Sequence, residues 1–306
     1  MERKVIVIVG PTCSGKTELA IKIARKLKTG IISADSRQFY KFLDIGTAKP
    51  GQQELNSVKH YFINNLLPDE DYNVSRFEKE ALDILDKLTG QNKIPVVAGG
   101  SGLYIKAIVD GIFDTVDTDD SYRIELLNLK RMHGNGILYE KLKQVDPETA
   151  AKLLPQNWKR VIRALEVYKL TGKSISEFQK EYKRETRYEF LQFGLNWPRE
   201  ILYKNIETRV DKMIEQGLIE EVKNLLQKGY DEKLNSLNTV GYKEIIAYLK
   251  NETGLEEAIR LIKRNTRRYA KRQLTWFRKD GRINWFDINE SKQLDDIAEK
   301  IIARVK

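Results

Sequence analysis

Val5-Ile-Val-Ile-Val9, a run short and apolar enough for a buried strand, passes directly into Gly10-Pro-Thr-Cys-Ser-Gly15-Lys16-Thr17. A helix-spaced stretch containing Leu19, Ala20, Ile23, Ala24 and Leu27 follows at once. Strand, G-x-x-x-x-G-K-T loop and helix in that order form a phosphate-binding loop in the context the motif requires, which a chance glycine-rich turn would lack. The glycines let the backbone curl, so that its N–H groups and the N-terminus of the helix converge on phosphate oxygens. Lys16 adds a point charge and Thr17 a hydroxyl for Mg²⁺. Gly10, Pro11, Thr12, Cys13, Ser14, Gly15, Lys16 and Thr17 are therefore expected to cradle phosphate groups, with Thr17 as the metal ligand.

The loop does not say whose phosphates it holds. ATP and GTP enzymes usually place an Asp at the end of a neighbouring apolar strand to help hold magnesium. Here the candidate strand ends Pro95-Val-Val-Ala-Gly-Gly100, without a carboxylate. Nucleotide hydrolysis is weakened and a different diphosphate is admitted.

Further β-rich runs, at Ile31 to Ala34, Ile94 to Ala98, Phe190 to Leu195 and Ile283 to Phe286, alternate with helical stretches, which predicts a parallel sheet covered by helices. The runs before residue 100 are nearly all apolar, as in central strands buried on both faces. Tyr188 to Asn196 and Arg282 to Asp287 mix in polar residues and are placed nearer the edge. Between Asp114 and Thr186 strand signals vanish, and Ile124, Leu127 and Arg131, or Val161, Ala164, Leu165 and Tyr168, follow helical spacing. The expected fold is α/β: a parallel sheet of the P-loop NTPase type flanked by helices, with an all-helical insertion. Residues 1–115 and 188–306 make the core, and 116–187 the insertion. Two helical segments are expected over Glu200 to Leu249, then a long basic helix from Leu255 to Phe277.

Among the 306 residues, 54 Lys+Arg against 44 Asp+Glu leave a formal charge of +10. Such an excess steers polyanions toward the protein and makes nucleic acid a candidate partner, although charge alone is weak evidence. The single cysteine, Cys13, cannot form an intramolecular disulfide and makes a poor zinc site without further thiols or clustered histidines. Val5 to Val9 falls far short of the roughly 20 residues that span a bilayer. A cytoplasmic protein without membrane attachment is expected, working as a monomer.

Ile31-Ile-Ser-Ala-Asp35-Ser36-Arg37-Gln38 puts Asp35 at the C-terminal end of a buried strand, the edge on which such sheets assemble their sites. It is expected to face the phosphate loop across a crevice. An Asp with Gln three residues later also resembles a helix capping box, so the spacing leaves cap and catalyst both open.

The run Asp35-Ser-Arg-Gln-Phe-Tyr-Lys-Phe-Leu-Asp44-Ile-Gly46-Thr47-Ala48-Lys49-Pro50 resembles the signature of the tRNA dimethylallyltransferase (isopentenyltransferase) family. Gly99-Gly-Ser-Gly-Leu-Tyr104 is similar to the family's G-G-T-G-L-Y segment, Arg160-Val-Ile-Arg163-Ala-Leu-Glu166 to its R-x-x-R-A-L-E helix, and Val240-Gly-Tyr-Lys-Glu244 to its G-Y-[KR] turn. Arg267-Arg-Tyr-Ala-Lys-Arg-Gln273-Leu-Thr-Trp276-Phe-Arg278 resembles its A-K-R-Q-x-T-W stretch. The matches run from residue 10 to residue 278 in the family's order. Ser101 stands where the family commonly has Thr, Cys13 replaces a residue that is commonly Ala, and His60-Tyr-Phe keeps one histidine of a His-rich stretch. His60 is assigned no role.

The resemblance implies transfer of a dimethylallyl group from dimethylallyl diphosphate to the exocyclic N6 amine of the adenosine 3′ of the anticodon. Mg²⁺ is the implied cofactor and the tRNA anticodon stem-loop the implied partner. In-line attack by a weakly nucleophilic amine needs charge stabilisation at one end and proton removal at the other. Asp35 would take the amine proton as or after the bond forms, and Ser101 would hydrogen-bond the base or the backbone nearby. Arg209, in Asn205-Ile-Glu-Thr-Arg209-Val-Asp211, is the candidate second cation on the diphosphate, with an ion pair to Glu207 or Asp211 as the plain alternative. The implied RNA contacts are Asp35, Ser36, Arg37, Gln38 and Ser101; Arg123, Lys159, Arg160 and Arg163 in the insertion; Gly241, Tyr242 and Lys243; and Arg267, Lys271 and Arg272. A solvated charged helix accounts equally well for many cations of that last tract, which also carries Tyr269, Trp276 and Phe277. Rival readings are a P-loop kinase of a small metabolite, an isopentenyltransferase acting on free adenine nucleotides, and an RNA-binding protein with a vestigial loop.

Overall fold

The computed structural model describes residues 3–112, 118–181 and 184–305. In chain order the elements begin β1 (Arg3–Val9), α1 (Lys16–Lys26), β2 (Ile31–Ser33), α2 (Gln52–Ser57), β3 (His60–Tyr61), α3 (Val74–Gly90), β4 (Val96–Gly99) and α4 (Gly102–Asp110). Next come α5 (Asp120–His133), α6 (Asn135–Val145), α7 (Pro147–Ala151), α8 (Trp158–Thr171) and α9 (Ile175–Glu181). The chain ends with β5 (Tyr188–Asn196), α10 (Arg199–Glu215), α11 (Leu218–Gln227), α12 (Tyr242–Leu249), α13 (Leu255–Phe277), β6 (Asn284–Asp287) and α14 (Gln293–Val305). Among the described residues no helix is long and apolar enough to cross a membrane.

The strands make one six-stranded sheet in the order β3-β2-β4-β1-β5-β6, parallel throughout. An unbroken Val/Ile run suits a strand covered on both faces, and Val5 to Val9 have no exposed surface. Side chains alternate across a strand. Val5, Val7 and Val9 therefore join Phe39, Phe77 and Leu85 in one layer, while Ile6 and Ile8 join Leu19, Ile23 and Ile301 in the other. Each such side chain contributes about 1.5–3 kcal/mol relative to exposure. The polar-mixed runs lie where their composition put them, β6 at the edge and β5 beside it. The opposite edge, β3, has no expectation behind it, because a strand of two residues offers no period to read.

The basic helix is found over Leu255–Phe277. Glu200 to Leu249 holds α10, α11 and α12 where two segments were expected, since α10 and α11 are separated only at Gln216 and Gly217. Because the sheet is parallel, the loops after β1, β2, β4 and β5 all leave from one edge.

Two compact units emerge: residues up to Val109 with those from Thr186 onward, and Asp110–Glu185. The expected 115/116 boundary falls in 113–117, outside the described residues. The insertion has its own core of Leu126, Leu138, Leu142, Ala150, Val161, Ile162, Ala164 and Leu165. The helix expected over this stretch is present as α5; Ile124 and Leu127, whose spacing announced it, are 60% and 42% exposed, and its buried stripe runs through Leu126, with Tyr122 and Leu129 packed beside it. The tertiary partner, not the local period, selects the face. Within this unit Glu166 is fully buried. Burial pulls its pKa up, but hydrogen bonds from Arg123, Arg163 and the Asp119 N–H outweigh that and hold the carboxyl below its usual value.

Candidate active site

β1 delivers the chain into the phosphate loop at Gly10. Cys13 adopts a left-handed φ of 63°, a strained conformation for a non-glycine residue and one that clusters at ligand clamps. Lys16, the first residue of α1, donates its Nζ to the Pro11 carbonyl at 2.6 Å. Its pKa is pushed down to about 8, first by burial and then by the positive charge of Arg209, with the negative charge of Asp35 opposing. Lys16 therefore feels both of the groups that the sequence assigned to the reaction centre.

Asp35 follows β2. No helix starts there; Asp35 Oδ1 accepts the Arg37 backbone N–H at 2.9 Å and closes a tight turn. The helix-cap alternative is thereby removed, and among the described residues nothing donates to the second carboxylate oxygen. Ser101, after β4, accepts the Ser36 backbone N–H at 3.1 Å and bonds the Ser36 hydroxyl at 3.4 Å. Of its two proposed uses, the bond to nearby backbone is realised: Ser101 braces the turn that carries Asp35.

One cavity of ≈ 1280 Å³ joins these parts, lined by Thr12 to Thr17, Asp35 to Gln38, Gly99, Gly100, Arg209, Gly241, Lys243 and Arg272. That exceeds the usual span for one small ligand, roughly 300–1,000 Å³, and leaves room for two reactants. Gly10, Pro11 and Ser101 are not among its lining residues. Gln38 lines it, yet its amide is engaged internally, accepting from Ser33 Oγ and donating to the Thr47 and Ala48 carbonyls. Arg37 donates to the Asn235 carbonyl at 2.6 Å.

Arg209 is not the surface ion pair that its neighbours suggested. Glu207 is taken by Arg267 at 2.6 Å and Asp211 by Lys263 at 2.6 Å, both from α13. No carboxylate among the described residues pairs with Arg209, which faces the cavity. The same geometry revises Arg267, an implied RNA contact: its guanidinium is committed to Glu207 and lies over the Tyr203 ring. Lys271 and Arg272 remain exposed.

Tyr242 is corrected too. Its side chain has no exposed surface, so it offers RNA nothing to touch, and its hydroxyl donates to Glu221 Oε1 at 2.7 Å. Burial and that carboxylate push the phenol far above its ordinary pKa. In the insertion, Arg123 and Arg163 pair with Glu166, while Lys159 and Arg160 are exposed.

Three residues that sequence reasoning left out belong to this site. Lys49 is almost wholly buried and donates to the Tyr40 carbonyl, Asp44 Oδ1 and Asn64 Oδ1, tying down the rim loop. Tyr269 lines the cavity; burial, then the charge of Asp35, push its phenol up to about 12, so it stays protonated at neutral pH. Gln273 is buried between the phosphate loop and the glycine turn. Tyr269 and Gln273 lie within the basic stretch 267–278, where a run of cations masks the signal of one phenol and one amide.

Residues 38–280 match the sequence profile of a family described as IPP transferase. The tRNA dimethylallyltransferase of Halothermothrix orenii is 50% identical over 286 residues, which cover 93% of this chain and 87% of that protein. The crystal structure of the full-length tRNA isopentenylpyrophosphate transferase from Bacillus halodurans matches with a TM-score of 0.73 at 38% identity, covering 99% of this chain and 97% of that one. A eukaryotic dimethylallyltransferase acting on tRNA matches with a TM-score of 0.82 at 31% identity, over 98% of this chain and 77% of that one. With a profile match from Gln38 to just past the end of the basic helix and relatives similar along nearly the whole length, this chain belongs to the IPP transferase family.

Proposed function

We propose that this protein transfers a dimethylallyl group from dimethylallyl diphosphate to the N6 amine of the adenosine 3′ of the anticodon in tRNA. The observation that carries this reading is the one cavity whose wall brings together the phosphate loop with Lys16 and Thr17, the Arg209 guanidinium and the Asp35 carboxylate. The bond from the allylic carbon to the diphosphate oxygen breaks and a carbon–nitrogen bond forms in line with it. The loop N–H groups, Lys16 and Arg209 take up the charge growing on the departing diphosphate. Asp35 receives the amine proton as or after the new bond forms, because the alkylated nitrogen sheds it far more readily than the neutral amine does.

Thr17 lines the cavity beside Lys16, and a single hydroxyl with diphosphate oxygens suits Mg²⁺, which keeps most of its coordination for water and substrate phosphate. Bound there, the ion would neutralise charge on the leaving group. An anticodon-loop base must leave its stack to reach Asp35, so the loop around it needs bracing. The exposed Arg268, Lys271 and Arg272 on α13, and Lys159 and Arg160 on α8, are suited to phosphates. A phosphate-transferring kinase fits less well, since β4 ends in Gly99 followed by Gly100, with no carboxylate for a nucleotide-bound metal. Action on free nucleotides leaves the exposed cations without work.

Purified protein with Mg²⁺ and labelled dimethylallyl diphosphate is expected to label tRNA that carries an unmodified adenosine beside the anticodon. Labelling of free AMP instead, or consumption of ATP without prenyl transfer, overturns the assignment.

A further inference from the structure

We propose that Gln273 is a positioning residue that sets the separation between the two halves of the reaction centre, an inference that rests on the function proposed above. Gln273 lies on α13, only 6% exposed. Its Oε1 accepts the Thr12 backbone N–H at 2.8 Å, and its Nε2 donates to the Gly100 carbonyl at 2.8 Å. Thr12 belongs to the phosphate loop. Gly100 immediately precedes Ser101, which braces the Asp35 turn. One planar amide thus joins the leaving-group cradle to the turn that carries the proton acceptor.

A primary amide supplies an acceptor and a donor at a fixed spacing, which no charged or hydroxyl side chain does in the same way. The fit is tight: a Cβ on Gly100 would lie 2.2 Å from Gln273 Nε2, so glycine there is what lets the amide reach its carbonyl. The Thr12 N–H is spent on Gln273 and not on phosphate, as expected of an anchor for the loop.

In-line transfer demands reacting atoms about 3–3.5 Å apart, and a misplacement of about 1 Å costs on the order of a hundredfold. Losing the bridge should therefore strike the transfer step and spare the binding of each substrate. Gln273→Met keeps the length and removes both bonds. Single-turnover transfer with saturating dimethylallyl diphosphate and an anticodon stem-loop is expected to slow by about ten- to a hundredfold, with the separately measured dissociation constants nearly unchanged and the melting temperature lowered by the loss of two buried hydrogen bonds. A rate within about twofold of the parent, or a loss residing entirely in diphosphate affinity, overturns the positioning role.

A second arm does not depend on that variant folding. Gly100→Ala alone should slow transfer by displacing the amide, whereas adding Gly100→Ala to Gln273→Ala should cost little more than Gln273→Ala itself. Multiplicative losses in the double variant overturn the bridge. Failure of the parent protein to transfer the group at all removes the proposed function and this inference with it; an active parent alongside an equally active Gln273→Met removes only the bridge.

Discussion

Tyr242 donates its hydroxyl to Glu221 Oε1 at 2.7 Å, and the same carboxylate receives the backbone N–H groups of Asp44 (2.9 Å), Ile45 (2.8 Å) and Gly46 (3.1 Å). The G-Y-[KR]-like turn and the Asp44-Ile-Gly46 segment, far apart in sequence, are thus two sides of one latch on the cavity rim. A Cβ on Gly46 would lie 2.4 Å from the Tyr242 ring, which is why the loop passes there as glycine. Tyr242→Phe leaves the ring in place and removes a hydrogen bond to a charged group, which is worth about 1.5–3 kcal/mol. Urea denaturation should show a loss of that size, with RNA affinity unchanged. A normal stability coupled with weakened RNA binding would restore Tyr242 to the interface.

Asp35→Asn separates the two tasks of this side chain. The amide oxygen can still accept the Arg37 N–H that closes the turn, but it cannot take the amine proton. Turnover should fall by about 10²–10⁴-fold, while tRNA binding, read by fluorescence anisotropy, stays within a small factor of the parent. Parallel loss of both would mean that the carboxylate serves the turn alone.

Lys16 predicts a pH dependence. Its folded pKa, about 8, lies below its ordinary 10.5, so between those values the unfolded chain binds more protons than the native one. Native stability should then rise with pH across that window, and a Lys16→Met variant should lack this rise. Diphosphate binding near pH 8 restores the lysine's proton, and calorimetry in buffers of different ionisation enthalpy should register proton uptake. An uptake unchanged in Lys16→Met would place the titrating group elsewhere.

The cations of α13 should divide by salt dependence. Lys271 and Arg272 are exposed, and neutralising either should reduce the slope of log K against log salt by about 0.7–0.9. Arg267 is already paired with Glu207 at 2.6 Å. Its replacement by Ala should leave that slope nearly intact and lower the melting temperature instead. Equal slope changes at all three positions would show that the ion pair opens for RNA.

What the amino-acid order determined by itself was whatever is contiguous. Strand, phosphate loop and helix occupy residues 3–26 without interruption, and the apolar runs of β1, β2 and β4 announce strands covered on both faces, because burial leaves no polar alternation to preserve. Asp35 at the end of β2 was legible for the same reason. What only the tertiary structure decided was which side chains meet across long stretches of chain: Gln273 with Thr12, Arg267 with Glu207, Tyr242 with Glu221. A charged or amide residue has no intrinsic address. Whether Arg267 faces RNA or a carboxylate, and whether α5 buries Leu126 or Leu127, depends on the surface that packs against the helix, and that surface is assembled from elsewhere in the sequence.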